Sequence, residues 1–343
     1  MAKTEVTASE GKNADGGAAR SEWADALLAP LWESRAHQPT ADARRAHHWR
    51  WEDIRRHAAQ AAALTSPEVV ERRVLRLVNP DPSSAQDEST VGNLAAAIQI
   101  LLPGETARPH RHSINALRFI LQGGGATTFV NGEGVAMREG DMLLTAGDCW
   151  HEHRHDGSEP VIWLDVLDAP LHTALGTVTF QPGPMADCHA ALPQGALGFA
   201  GIVPAETGEE RPYSPLFRYS GEAVADAVRH APRGPDGARA VRYVNPLTGA
   251  APMSTIDCRM VALDAGEETR AMRSTANAVC LVVEGDGESW VGDQHFRWGR
   301  HDIFSLPQKG RVRHKAVSAA KLFVVSDREA LRRLDLLRES FGS

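Results

Sequence analysis

Two stretches of the chain carry one pattern twice, and this repetition constrains the fold more than any other feature. The first reads LPGETARPHRHSINALRFILQGGGATTFVNGEGVAMREGDMLLTAGDCWHEH. The second reads LDAGEETRAMRSTANAVCLVVEGDGESWVGDQHFRWGRHDIFSLPQKGRVRH. A Gly-Glu turn, an apolar strand, a Gly-x-Gly hairpin and a turn ending in Asp recur in the same order. Gly104 answers Gly266 and Asp141 answers Asp302, at offsets of 162 and 161 residues. That period is too long for a solenoid and suits a duplicated domain. Short runs rich in Ile, Leu, Val and Thr, parted by Gly-rich turns, point to antiparallel sandwiches or barrels.

The remainder divides around these blocks. Residues 1–20 are rich in Gly, Ala and charge and read as a disordered tail. Residues 21–90 read as a helical arm, with Ser21 as an N-cap before Trp23, Ala26, Leu27 and Leu31 at helical spacing. The first β domain is expected over 91–180 and a linker with helical potential over 181–250. The second β domain is expected over 251–343, ending in a helix capped by Ser326 and Glu329. A formal charge of -7 gives no basic footprint for a nucleic acid. No apolar run reaches membrane-spanning length, and no h-region marks a secretory signal. Four scattered cysteines without a CxxC fit a reducing compartment, so a cytoplasmic protein is expected.

His110 and His112 stand two apart in a predicted strand, so both point to one face. His151 follows a second apolar run that can fold back beside the first. A His-x-His pair with a remote His makes a facial three-ligand metal site with open positions. An isolated His-x-His is more often an ordinary surface or core pair. Here the three residues sit at corresponding places in a repeated β unit, which favours the metal. In the second block the equivalent positions are Met272, Ser274 and Val312, so that domain is expected to be metal-free. His314 falls opposite His153.

PGETARPHRH and GDMLLTAGDCWHEH resemble the two motifs of the cupin superfamily. With HRHSINALRFILQGGGATTFVNGE, SPLFRY and YVNPLTGA in order, the chain from Trp23 onward resembles the bicupin gentisate and salicylate ring-cleaving dioxygenases. The resemblance implies a mainly β fold: two jelly-roll cupin domains with a helical N-terminal arm and a helical linker. It implies Fe(II) held by His110, His112 and His151, and a homotetramer. Many cupins add a glutamate ligand after His-x-His; SINAL has no carboxylate there, as in this family. Three neutral imidazoles leave the full 2+ charge uncompensated, which suits a chelating dianion such as a carboxylate with an ortho phenolate. Such a substrate leaves a position for O2.

His153 lies too far along its strand to share the metal and is implied to contact substrate; the plainer alternative is an exposed turn histidine. Arg118 sits in an apolar run and needs an anion, either the substrate carboxylate or Asp165 in VIWLDVL. Asp165 is expected to orient its neighbours rather than react. Gln99 and Arg73 match substrate-side positions of the family, with a one-residue register ambiguity that leaves Arg72 open. NLAAAIQ stands where gentisate enzymes carry a stretch like TLYAG, so Asn93, Ala95, Ala96 and Ala97 imply a widened pocket. Ala146 and Asp148 also replace a usual proline and a usual aromatic. The resulting expectation is a dioxygenase that opens a 2-hydroxybenzoate between its carboxyl- and hydroxyl-bearing carbons. The candidate substrates are 5-nitro- or 5-chlorosalicylate, or gentisate itself. Two rivals remain: a non-catalytic bicupin that binds an aromatic acid, and a Mn or Zn cupin enzyme.

Overall fold

The structure is a computed structural model that describes residues 45–81, 89–184, 192–197, 201–208 and 210–342, with Leu27 and Ala29. The expected tail and the helical pattern after Ser21 lie outside the described residues. The chain divides into two compact units, Met1–Asp42 and Ala43–Ser343, and every described helix and strand lies in the second.

The arm region holds β1 (His48–Trp49), α1 (Trp51–Leu64), α2 (Pro67–Val70) and β2 (Val74–Arg76). The first β domain follows with β3 (Ala95–Leu101), β4 (Thr106–His112), β5 (Ala116–Gln122), β6 (Gly124–Val130), β7 (Glu133–Arg138), β8 (Met142–Thr145), β9 (His151–His155) and β10 (Val161–Leu167). The connection carries α3 (Ala169–Leu175), β11 (Phe180–Pro182), β12 (Arg218–Tyr219), α4 (Gly221–His230) and β13 (Arg239–Arg242). The second domain repeats the first as β14 (Asp257–Leu263), β15 (Met272–Ser274), β16 (Ala278–Glu284), β17 (Gly287–Val291), β18 (Gln294–Trp298), β19 (Ile303–Leu306), β20 (Arg311–Ala316) and β21 (Ala320–Ser326). The chain then forms α5 (Arg328–Arg333) and β22 (Glu339–Phe341).

Each half is a jelly-roll pair of antiparallel sheets. The first has the strand orders β12-β8-β5-β10-β3-β2 and β11-β4-β9-β6-β7; the second has β1-β19-β16-β21-β14-β13 and β18-β17-β20-β15-β22. The mainly β, two-barrel architecture is the one the repeat called for. Among the described residues the arm and the linker carry edge strands as well as helices. β2 and β13 extend the sheet of the domain that follows them, while β1 and β12 cross to the opposite half. The crossing is reciprocal. Asp302 accepts hydrogen bonds from the backbone N–H of Trp51 (2.7 Å) and meets Nε2 of His48 (2.9 Å). Asp141 accepts from the N–H of Gly221 (2.9 Å) and from Nε of Arg218 (2.5 Å). Each of these turn aspartates thus satisfies an orphan donor at the start of a helix, α1 or α4, behind an exchanged strand.

Strand alternation sorts the side chains between two environments. Ala96, Ile98, Ile100, Leu117, Phe119 and Leu121 join Cys258, Met260, Val279, Leu281, Phe323 and Val325 in one core between the halves. Phe119 and Phe323 pack there with tilted rings, centroids 4.5 Å apart. The alternate residues face into their own barrels: Leu101, Ile120 and Trp163 in the first, Leu263, Cys280 and Val282 in the second. The hairpin glycines repeat as well. Gly123 (φ +85°) and Gly285 (φ +82°) lie so close to the carbonyls of Pro160 and Ala319 that a Cβ would sit 2.3 Å from the oxygen.

The closing helix starts differently from expectation. Ser326 is the last residue of β21 and Asp327 is the N-cap; Glu329 pairs with Arg332 and Arg333 instead of reaching back to the backbone. Asp327 cannot cap with its side chain because that carboxylate is held by Asn277 and Asn93.

Candidate metal centre and active site

β4 presents His110 and His112 on one face, and β9 runs antiparallel beside it with His151 directly opposite His110. The ligating nitrogens of the three rings lie within 4.8 Å of one another. Ring centroids are 4.1 Å apart for His110–His151, 4.9 Å for His112–His151 and 5.3 Å for His110–His112. Among the described residues this is the one such group, and it contains no carboxylate.

The donor set fits a divalent metal. Burial, and then the neighbouring Arg72, press the His110 pKa down to about 2; burial takes His112 to about 4; burial and the adjacent His110 put His151 well below the ordinary range. All three are therefore neutral imidazoles at neutral pH, the form that ligates. Nδ1 of His112 donates to the carbonyl of Ile114 at 2.8 Å, and Nδ1 of His151 to that of Cys149 at 3.0 Å. A carbonyl only accepts, so each Nδ1 carries the proton and Nε2 keeps its lone pair. Nε2 of His110 and of His151 is buried without a hydrogen-bond partner, which is costly unless a ligand meets it. Nδ1 of His110 faces the Arg108 carbonyl at 3.4 Å and also meets Nη2 of Arg72. A guanidinium only donates, so a metal on Nε2 requires that Arg72 contact to give way, which frees Arg72 for an anion.

Arg118 and Asp165 form a buried pair, Nε to Oδ1 at 3.1 Å, that is close enough for charge attraction but unaligned for a hydrogen bond. Nη1 of Arg118 donates to Thr145 Oγ1 (2.8 Å), and Nε1 of Trp163 donates to Asp165 Oδ2 (3.0 Å). Burial raises the Asp165 pKa and lowers that of Arg118; each opposes the other's shift. Both anions weighed for Arg118 thus remain compatible: Asp165 holds one edge of the guanidinium, and the unaligned Nε leaves capacity for another acceptor. His153 is fully buried, not an exposed turn residue. Thr128 Oγ1 meets its Nδ1 at 2.9 Å, and its Nε2 has no partner. Its ring centre is 6.3 Å from that of His151, and it is not one of the grouped ligands.

Ala97, Asp165 and Arg118 form one cross-strand row over β3, β10 and β5. Gln99 and Ala95 share the barrel-facing side of β3 with Ala97, and Gln99 is buried. Ala96 instead enters the core between the halves, and Asn93 donates to Asp327 of the second half at 2.9 Å. Only Ala95 and Ala97 of that stretch are therefore in position to shape the barrel interior. The arginine at the cluster is Arg72; Arg73 is spent on a buried ion pair with Glu105. Thr128, Thr145 and Trp163 were not singled out from the sequence. Their partners come from cross-strand register, except Trp163, whose two-residue spacing from Asp165 put both on one face.

In the second half Met272 pairs with Val312 where His110 pairs with His151, so neither position carries a histidine.

A family model described as "Cupin domain" matches residues 97–167. A gentisate 1,2-dioxygenase of Aquipseudomonas alcaligenes is 36% identical, over 91% of this chain and 92% of its own length. A 5-aminosalicylate 1,2-dioxygenase of Comamonas sp is 33% identical, over 94% and 89%. The crystal structure of salicylate 1,2-dioxygenase from Pseudoaminobacter salicylatoxidans, an adduct with gentisate, superposes with a TM-score of 0.90 at 30% identity, covering 98% of this chain and 97% of that one. With the same two-barrel fold and relatedness along nearly its whole length, the chain belongs to the gentisate/salicylate 1,2-dioxygenase family of ring-cleaving oxygenases.

Proposed function

We propose that this protein is an Fe(II)-dependent dioxygenase that opens a 5-substituted salicylate between its carboxyl- and hydroxyl-bearing carbons with O2. The observation that carries the reading is the convergence of three neutral, buried imidazoles beside a guanidinium with spare donor capacity. His110, His112 and His151 would hold the iron through Nε2. Bound iron supplies the Lewis acid and the electron path between an electron-rich ring and oxygen.

The chain's own residues do the positioning. Arg118, fixed by Asp165 and Thr145, offers charge to the substrate carboxylate, and Arg72 offers a second cation from the arm. Gln99 adds an amide from the same wall. His153 is too weak a base to keep a proton at neutral pH, since burial and the nearby Arg118 lower its pKa. Its part is a hydrogen bond from a ring oriented by Thr128. With no carboxylate ligand in the set, the net positive site favours a dianionic chelate over a neutral phenol.

Ala95 and Ala97 support a ring carrying a bulkier 5-substituent, such as nitro or chloro, because small side chains here leave room on the barrel side of β3. The second reading is a gentisate dioxygenase, favoured by the name of the 36% identical relative. Oxygen uptake after anaerobic Fe(II) loading decides both points. It should require an aromatic 2-hydroxy acid, and kcat/KM should be compared for gentisate, salicylate, 5-chlorosalicylate and 5-nitrosalicylate. If gentisate leads by tenfold or more, about 1.4 kcal/mol, the pocket argument fails and the gentisate assignment stands. No uptake with any of the four would remove the dioxygenase reading.

A further inference from the structure

In both halves a strand hydroxyl meets Nδ1 of a histidine. Thr128 Oγ1 lies 2.9 Å from Nδ1 of His153, and Ser289 Oγ lies 2.7 Å from Nδ1 of His314. One register produces both contacts. Thr128 stands opposite His153 across β6 and β9, and Ser289 stands opposite His314 across β17 and β20. Such a contact has two forms. The hydroxyl either donates to Nδ1, which leaves the ring proton on Nε2, or accepts from Nδ1, which leaves Nε2 a bare lone pair. The choice decides whether His153 brings a donor or an acceptor to the active site.

The surroundings of the two hydroxyls differ. Ser289 also accepts a hydrogen bond from Nε1 of Trp298 at 2.8 Å. Trp298 lies four residues before Asp302; four residues before Asp141 is Met137, whose side chain has no N–H. The indole beside His153 is that of Trp163, with ring centres 5.3 Å apart, and its N–H goes to Asp165 Oδ2 at 3.0 Å. Thr128 is fully buried, and among the described residues its hydroxyl has one hydrogen-bond partner, Nδ1 of His153.

Counting protons separates the two forms. If Thr128 accepted, its own proton would be buried without an acceptor, and Nε2 of His153 would be an unpartnered lone pair as well. If Thr128 donates, its proton is used and one orphan remains, the N–H at Nε2. The form with fewer buried orphans is favoured. The remaining orphan is also the one a ligand can meet, because His153 shares the inward face of β9 with His151.

We propose that Thr128 is a positioning residue: its hydroxyl donates to Nδ1 and so fixes His153 as a donor, through Nε2, to an anionic oxygen of the substrate. The inference deepens the dioxygenase reading. It rests on that reading for the acceptor but not for the place of the proton. His153 then offers a proton as Arg118 does, and both favour an ionised oxygen over a neutral hydroxyl.

Neutron diffraction from deuterium-exchanged crystals of the iron-loaded full chain reads the proton positions. A deuteron is expected on Nε2 of His153, with that of Thr128 Oγ1 pointing at Nδ1. A deuteron on Nδ1 overturns the proposal, whatever the enzyme turns over. Two variants read the consequence. Thr128→Val keeps the shape and removes the hydroxyl; it should retain iron and lower kcat/KM at least tenfold for the aromatic hydroxy acid the wild type consumes. Thr128→Ser loses the methyl and keeps the donor, and should recover most of that loss. Wild-type turnover in Thr128→Val overturns the proposal. So does an equal loss in both variants, which packing alone would give. If the wild type consumes no aromatic hydroxy acid, the dioxygenase reading falls and the deuteron positions still decide the proposal.

Discussion

Asn115 clasps Asp168 with its backbone N–H at 2.8 Å and its amide at 2.9 Å; in the other half Asn277 clasps Asp327 at the same 2.8 and 2.9 Å. A hydroxyl meets Nδ1 of a histidine in both, Thr128 with the buried His153 and Ser289 with the half-buried His314. Even the contacts between halves are exchanged in kind. Asn93, before β3, bonds Asp327, while Thr255, before β14, bonds Asp168. The halves part company at the ligand positions and along the inward row. The difference teaches that the frame and the chemistry are separable. A hydroxyl-held histidine is a property of the frame, whereas three converging imidazoles and a paired arginine belong to one half alone.

The largest effects should come from the ligand positions. His110→Ala, His112→Ala or His151→Ala should each abolish iron retention and turnover, read by metal analysis and oxygen uptake. Met272→Ala or Val312→Ala should leave close to one iron per chain. Two irons per chain in the wild type would break the comparison outright.

Next comes the inward row. Arg118→Ala should keep iron but lower kcat/KM about 30- to 1000-fold, or 2–4 kcal/mol. It also strands Asp165, at a stability cost of about 3–5 kcal/mol. Arg118→Met with Asp165→Val gives the first half an apolar row with valine at its centre, as Val324 is in the second. It should restore most of that stability in urea titrations without restoring activity. Loss of iron from the double variant would mean that the pair supports the metal centre itself.

A smaller effect concerns His314. A free histidine takes up a proton near pH 6.5, but burial holds His314 down to about 4. Between those values the unfolded chain binds a proton that the folded chain refuses, so stability falls as pH drops from 6.5 toward 4. At pH 5 this amounts to about 2 kcal/mol relative to pH 8. His314→Gln should flatten that part of the pH–stability profile. An unchanged profile would show that His314 is not held neutral.

The smallest is the exchanged clasp. Thr255→Val and Asn93→Leu each remove one donor to a buried carboxylate and should cost about 1 kcal/mol apiece. Markedly unequal costs in matched denaturant titrations would show that the two halves do not depend on each other symmetrically.

The ligand histidines were legible because two constraints coincide at them, the two-residue strand period and the repeat. Arg72 and Arg73 were not resolved, because both lie just before β2, where no helix or strand period fixes which side chain turns inward. Ala96 fell to the other side of β3 because adjacent residues on a strand point oppositely. The cap at Asp327 was missed because Ser-x-x-Glu fits a capping box locally, while the buried clasp to Asn277 fixes where β21 ends. Composition also made the arm look helical; β1 and β2 are too short to show a period and exist because a partner sheet edge is there for each.

The exchanged strand β1 has a consequence in time. His47 donates its backbone N–H to Ser305, 258 residues later. At 5–20 residues per second, synthesis takes on the order of 10–50 s to cover that distance. Throughout that interval the first half has its own sheet strands, but β1 and the start of α1 have no Asp302 to dock against. β1 is thus made long before its partner strand and is among the last elements able to settle, a delay written into the topology rather than into any single residue.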